Sequence, residues 1–350
     1  MELACLPAGR EFGDWDLIHS AHQNRDTDCR ERNLMKRYQY LYGPVPSRRL
    51  GRSLGIDLVP HKICTYDCIY CQIGKTTQKT LIRKEYIPTQ EVLAEIERFL
   101  REETSSVDYL SLGGSGEPTL HSEIGRIIKG IKAITSIPVA VLTNGALFYE
   151  RGVREDLSMA DVVLPSMDAV SRDVFDKINR PYSDFSMEGM LEGLVEFRKV
   201  FKGQIWLEIL FCKGVNDHQD ELLRMREAID RIQPDQIHIN TIVRPPSEKW
   251  AVPLSQKEME KIRGFFGDRA IVIPEFDRHP FPLAESDIKE EILKILRRRP
   301  LSLNDLSKGM DIPAEELESH IQPLVLKGSI RVRSFGDSIF YEAEKEIDIS

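Results

Sequence analysis

Between residues 53 and 243 strand-like and helix-like patterns alternate, and that alternation constrains the fold more than any other feature of the chain. Strand patterns read SLGIDLV (53–59), VDYLSLG (107–113), PVAVLTN (138–144), DVVLPSM (161–167), QIWLEILF (204–211) and QIHINTIV (236–243). Helical patterns cover 89–103, 122–134, 171–178, 186–201 and 218–232; in the first, Val92, Leu93, Ile96, Phe99 and Leu100 recur at helix spacing. Successive βα units imply a parallel sheet with helical crossovers, hence an α/β fold. An open doubly wound sheet and a partial, TIM-like (β/α)6 barrel both satisfy the pattern. In either, reactive groups gather at the C-terminal strand ends.

The flanks differ. Residues 1–34 are polar and aperiodic and are expected to be a poorly ordered tail, with Met35 opening a natural protein start. Beyond Pro280, helical patterns at 286–299, 302–310 and 313–328 precede two short strands within 329–343. Three helices and a hairpin is the winged-helix order, which divides the chain into a 1–34 tail, a 35–283 (β/α)6 domain and a 284–350 winged-helix domain. The third of these helices would enter a DNA groove, yet it opens with Glu315, Glu316 and Glu318 and contains Pro323. Residues 284–350 carry ten Lys and Arg against fourteen Asp and Glu, with Arg297 to Arg299, Arg331 and Arg333 as the basic foci. That balance favours a protein partner, or packing against the barrel, over DNA.

A formal net charge of -8 argues against a broad nucleic-acid surface. No apolar run reaches the roughly 18 residues of a membrane helix, and no secretory leader is visible, so a cytoplasmic protein without a membrane partner is expected. Of six cysteines, three crowd into residues 64–71, a clustering that suits metal or redox chemistry rather than a disulfide framework.

Residues 61–71 read His-Lys-Ile-Cys-Thr-Tyr-Asp-Cys-Ile-Tyr-Cys, placing Cys64, Cys68 and Cys71 on one loop after the first strand of the series. Three thiolates can ligate three irons of a cubane and leave the fourth open for a ligand. A zinc site completed by His61 is the alternative, although no second cysteine pair stands elsewhere to close it. The C-x3-C-x2-C spacing with Tyr70 before the last cysteine resembles the signature of the radical S-adenosylmethionine (radical SAM) superfamily. The resemblance implies a 4Fe–4S cluster on these cysteines and S-adenosylmethionine on its open iron. It further implies reductive cleavage to a 5′-deoxyadenosyl radical that abstracts hydrogen from substrate, and a low-potential donor of ferredoxin or flavodoxin type. Tyr70 would lie beside the adenine.

Gly113, Gly114, Ser115, Gly116 and Glu117 after the second strand resemble the superfamily's element for the methionine end of the cofactor. Taken alone, such a turn serves equally at phosphate sites or in tight turns, and Glu117 could be a plain loop acid. Thr143 and Asn144 end the third strand; Ser166 and Asp168 end the fourth and are candidates for the ribose hydroxyls, or for capping the helix near Ser171. Glu208 lies within the fifth strand, and His238, Asn240 and Arg244 fall on one face of the sixth, where Arg244 could take an anionic group. Lys62, Arg48, Arg49 and Arg52 near the cysteine loop could attract an acidic substrate or reductant.

Residues 42–245 resemble most the group that includes tRNA 4-demethylwyosine synthase, which carries a second cluster on three upstream cysteines. Here only Cys5 and Cys29 lie upstream, and Cys212 sits far along the fifth strand, so that site is not reproduced as such. The substrate stays open among RNA, peptide and small metabolite. The competing functions are a non-catalytic iron–sulfur redox sensor acting through the winged helix, and a zinc-stabilised binding module.

Overall fold

The structure, a computed structural model, describes residues 38–102, 107–273, 288–310, 312–336 and 338–344. The expected tail (1–34) and the expected domain boundary near 284 lie outside the described residues. The described residues from Tyr40 onward form one compact unit.

All six expected strands are present. β1 (Leu41–Ser47) and β2 (Gly51–Ile56) form an antiparallel hairpin; short β3 (Ile63–Cys64) and β4 (Gln78–Lys79) pair beside it. Then come α1 (Thr89–Glu102), β5 (Tyr109–Leu112), α2 (Ile124–Ile134), β6 (Val139–Thr143), α3 (Arg151–Leu157) and β7 (Val162–Pro165). α4 (Arg172–Ile178), α5 (Met187–Val200), β8 (Gln204–Phe211), α6 (Gln219–Ile232), β9 (Gln236–Thr241), α7 (Gln256–Phe266) and β10 (Ala270–Val272) complete the series. The sheet runs β1-β2-β5-β6-β7-β8-β9-β10, parallel throughout except for β1. β1 and β10 are additions at its edges that the sequence pattern did not reveal; it also did not reveal the helices α3 and α7.

The crossover helices bury one face on the sheet. In α1, Val92, Ile96 and Phe99 are buried, and in α2 Ile124, Ile127, Ile128 and Ile131 are, each contributing about 1.5–3 kcal/mol by leaving water. The sheet curls strongly. Leu50, on the β1–β2 turn, packs with Ala140, Val162, Leu164 and Trp206, residues of β6, β7 and β8 that lie two to four places away in strand order. The turn therefore occupies the concave side of a barrel-like sheet whose edge strands β1 and β10 are not paired with each other.

The C-terminal elements are α8 (Ile288–Arg298), β11 (Leu301–Ser302), α9 (Leu303–Met310), α10 (Ala314–Leu326), β12 (Ile330–Phe335) and β13 (Ser338–Ala343), with a small antiparallel sheet in the order β11-β13-β12. Ile292, Leu296, Leu306, Leu317 and Ile321 form its core, and Val45 of β1 belongs to the same core. Glu315, Glu316 and Glu318 are exposed on α10. No helix among the described residues is long and apolar enough to cross a membrane.

Candidate active site

The cysteine loop is held from three sides. Cys64 ends β3 and its carbonyl accepts from Thr80 N at 3.0 Å. Asp67 N and Ile69 N donate to Asn179 O and Ile178 O at the C-terminal end of α4, both at 3.0 Å. Lys62 N donates to Ser115 O (2.6 Å) and Glu117 N to Ile63 O (3.1 Å), joining the loop to the glycine turn. Tyr66 anchors the loop from within, edge-on to Phe175 and Phe185 with ring centroids 5.3 Å away in each case.

Each of the three free, half-buried thiols faces a nitrogen donor. Asn144 Nδ2 lies 3.4 Å from Cys64 Sγ, Asn179 Nδ2 3.4 Å from Cys68 Sγ, and Lys62 Nζ 3.1 Å from Cys71 Sγ. Burial, then the Glu117 carboxylate, pushes Cys64 up to about 11; burial and then Asp168 raise Cys68. Burial works against the Lys62 ammonium, but the cysteine sulfurs around it hold it above its ordinary value.

Glycine is required beside this loop. Gly114 has φ 143°, and a Cβ there would meet Asp57 Oδ1 at 2.5 Å; at Gly116 it would meet Ile63 O at 2.1 Å. The turn and the cysteine loop touch backbone to backbone at Gly116 because it carries no side chain, while at Gly114 the missing Cβ leaves room for Asp57 and Tyr42. Asp57 Oδ1 accepts from Ser115 N at 2.8 Å.

Glu117 is a buried organiser, not an exposed loop acid. Its carboxylate accepts from Thr119 N (3.0 Å), Thr119 Oγ1 (2.6 Å), Thr143 Oγ1 (2.6 Å) and Asn144 N (2.8 Å). Burial holds its carboxyl above the usual range against the pull of those bonds. Thr143 is committed to this network, and Asn144 Nδ2 also reaches Thr65 Oγ1 at 2.7 Å.

Ser166 follows β7 and lines the cavity. Asp168 does not, contrary to its expected position at a ribose: its carboxylate accepts from the Tyr70 hydroxyl, from Asn179 Nδ2 (2.7 Å) and from Leu210 N (2.9 Å). Burial pushes the Asp168 carboxyl up to about 6. It orients Tyr70 and Asn179 from behind.

Two adjoining cavities open here. One, of about 210 Å3, lies over the cysteine loop and is walled by Gly114, Gly116, Thr143, Asn144 and Ser166. The other, of about 260 Å3, is lined by Arg48, Arg49, Gln72, Asn240, Arg244 and Arg299; Tyr70, Cys71, Ser166 and Glu208 border both. Glu208 accepts from Asn240 Nδ2 (3.0 Å) and pairs with Arg49. Burial opposes its charge, but Arg49 and Asn240 hold its carboxyl below the usual range.

The sixth-strand residues separate. Asn240 and Arg244 reach the second cavity, while His238 lines neither, lying against Trp206 with Nε2 2.8 Å from Gln236 Oε1; burial lowers it to about 4. Arg52 stands at the N-terminal end of β2, where its backbone N donates to Asp108 at 2.6 Å, and lines neither cavity. Cys212 is buried beyond β8, and burial raises its thiol; Cys5 and Cys29 lie outside the described residues. Asn179 and Arg299 were not singled out individually by the sequence reading. An Asn at a helix end reads as a cap, and an Arg after a C-terminal helix carries no sign of a site 200 residues upstream.

A parallel, curled sheet carrying a three-thiol loop and a glycine turn at its C-terminal strand ends defines the radical SAM class, and residues 58–226 match the model of the radical SAM superfamily. The chain belongs to that superfamily and, within it, to the UPF0026 proteins: it is 30% identical over 313 residues to UPF0026 protein MJ1312 of Methanocaldococcus jannaschii, covering 86% of this chain and 94% of that protein. A Brachyspira hyodysenteriae protein named GTPase Obg is 35% identical over 294 residues, 83% of this chain but 43% of that protein's length. A radical SAM methyltransferase from Sphaerobacter thermophilus shares the fold, with a TM-score of 0.52 and 14% identity over 63% of this chain and 65% of that one. The chain is thus a radical SAM enzyme, of a class that works with a 4Fe–4S cluster and S-adenosylmethionine.

Proposed function

We propose that Cys64, Cys68 and Cys71 hold the cluster, and that Gly113 to Glu117, Tyr70, Thr143, Asn144 and Ser166 build the seat for S-adenosylmethionine above it. The observation that carries this reading is three thiols on one short loop, each with its own N–H donor, beneath a cavity walled in part by Gly114 and Gly116. Three thiolates suit three corners of a cubane.

When bound, the cluster and S-adenosylmethionine supply a 5′-deoxyadenosyl radical that takes a hydrogen atom from the substrate. The protein's own work is positioning. Asp168 fixes the Tyr70 ring at the border of the two cavities, and Glu117 locks the ends of β5 and β6 together beneath the seat. The raised Cys64 and Cys68 thiols must lose their protons as the cluster is loaded, so loading improves with rising pH. A low-potential donor of ferredoxin or flavodoxin type supplies the electron. The C-terminal unit, read as a winged helix, packs on the barrel rather than serving DNA.

Anaerobic reconstitution tests this reading. With dithionite and S-adenosylmethionine, the protein should release 5′-deoxyadenosine. Cys68→Ala should abolish both the brown colour and that release. A coloured protein that releases none would instead be a redox sensor, and cleavage retained in Cys68→Ala would remove the ligand assignment.

A further inference from the structure

The second cavity is built around positive charge. Arg48 and Arg49 come from the β1–β2 turn, Arg244 from the segment after β9, and Arg299 from the C-terminal end of α8, where its backbone N donates to Ile295 O at 3.3 Å. Glu208 is the one carboxylate among the described residues that line this space. Arg244 is only 5% exposed, and Arg49 and Glu208 keep 14% and 16% of their side chains accessible. Neutral partners orient the forks: Arg48 Nη1 donates to Asn240 Oδ1 at 3.2 Å and Arg244 Nη1 to Gln72 Oε1 at 3.3 Å.

Four guanidinium groups sharing about 260 Å3 with one carboxylate repel one another. Burial, then the neighbouring Arg49, lowers Arg48 to about 10; burial, then Arg299 and Arg48, lowers Arg244. Asp305 opposes these effects from α9. A ligand of opposite charge would relieve that repulsion. Planar, always-charged forks from several directions match the oxygens of a phosphate, which they engage in paired hydrogen bonds. The space borders the proposed cofactor seat through Tyr70, Ser166 and Glu208, where a substrate must lie to meet a radical.

We propose that this cavity binds the substrate by a phosphate or diphosphate group, that the substrate is a phosphorylated small molecule, and that Arg299 of the C-terminal unit completes the site. This rests on the radical SAM reading above for the word substrate, but the anion site itself does not. The C-terminal unit thereby gains a role in substrate binding rather than in recognition of another macromolecule.

The test is calorimetric titration of the full chain with sodium pyrophosphate, citrate serving as a carboxylate control. Pyrophosphate should bind more tightly than citrate. Arg299→Gln and Arg244→Gln should each weaken it roughly tenfold, while Arg263→Gln, on exposed α7, should not. Equal affinity for citrate, or unchanged binding in Arg299→Gln with an unchanged melting temperature, overturns the proposal. A 5′-hydroxyl RNA oligonucleotide that binds more tightly than pyrophosphate and is not displaced by it overturns it also. Because the wild type can be assayed separately for 5′-deoxyadenosine, the two readings fail independently. Release without pyrophosphate binding removes this proposal alone, whereas pyrophosphate binding without release removes the radical reading alone.

Discussion

Lys62 is a costly residue to place where it is. It is 3% exposed, holds a left-handed φ of 59°, and aims its ammonium at Cys71 from 3.1 Å. A buried cation and N–H donor beside a thiolate favours the more negative, reduced state of an attached cluster, so it raises the reduction potential. Lys62→Met keeps most of the buried stem and removes the charge and the donor. A differential interaction of about 1 kcal/mol corresponds to roughly 40 mV for one electron, and the potential of the variant should fall by at least that. Anaerobic potentiometry followed by electron paramagnetic resonance measures it. An unchanged potential would mean that Lys62 serves the loop's fold and not its redox chemistry. The residue types at the site were legible one by one, since cysteines, glycines and strand-end polar groups announce themselves. Their directions were not: Asp168 and Ser166 stand two apart and share a strand end, yet one turns into the packing and the other into the cavity.

At the scale of elements, long segments of clean period were readable because burial of one helical face, or of both sheet faces, dictates the pattern. α1, α2, α5 and α6 match their expected spans within two residues at either end. β1 escaped because Gly43, Pro44 and Pro46 break any strand pattern, and edge strands tolerate prolines that interior strands do not. β10 escaped because it has three residues. What fixes the site, however, is the meeting of two loops. Gly116 permits Ile63 O to lie where a Cβ would come within 2.1 Å, and both partners there are main chain, so neither can swing aside. Gly116→Ala should therefore push the glycine turn off the cysteine loop, at a cost of about 2 kcal/mol or more. Chemical denaturation of the metal-free protein reads the stability, and iron per chain after reconstitution reads the loop geometry. An alanine variant with full iron content and unchanged stability would show that the contact is dispensable.

At the scale of the molecule, the barrel and the C-terminal unit share a hydrophobic core through β1. Val45, 7% exposed, packs among Ile292, Leu296 and Leu306, and Tyr42 lies against the same cluster. The hairpin that carries Val45 also carries Arg48 and Arg49 at its turn, while the helix that packs on β1 ends beside Arg299. One packing contact therefore sets the spacing of arginines from both ends of the sequence. No sequence pattern could reveal that, because the two segments lie some 250 residues apart and each is ordinary by itself. If the docked unit completes the anion site, loosening the contact should disable Arg299 without touching it. Val45→Asp places a charge in the shared core and should weaken pyrophosphate binding by about as much as Arg299→Gln does, roughly tenfold. The double variant should be scarcely weaker than either single one, since residues acting through one structural step are not additive. Titrations of the four proteins close the cycle. Additive losses would mean that the two changes act separately and that the cavity does not depend on the docked unit.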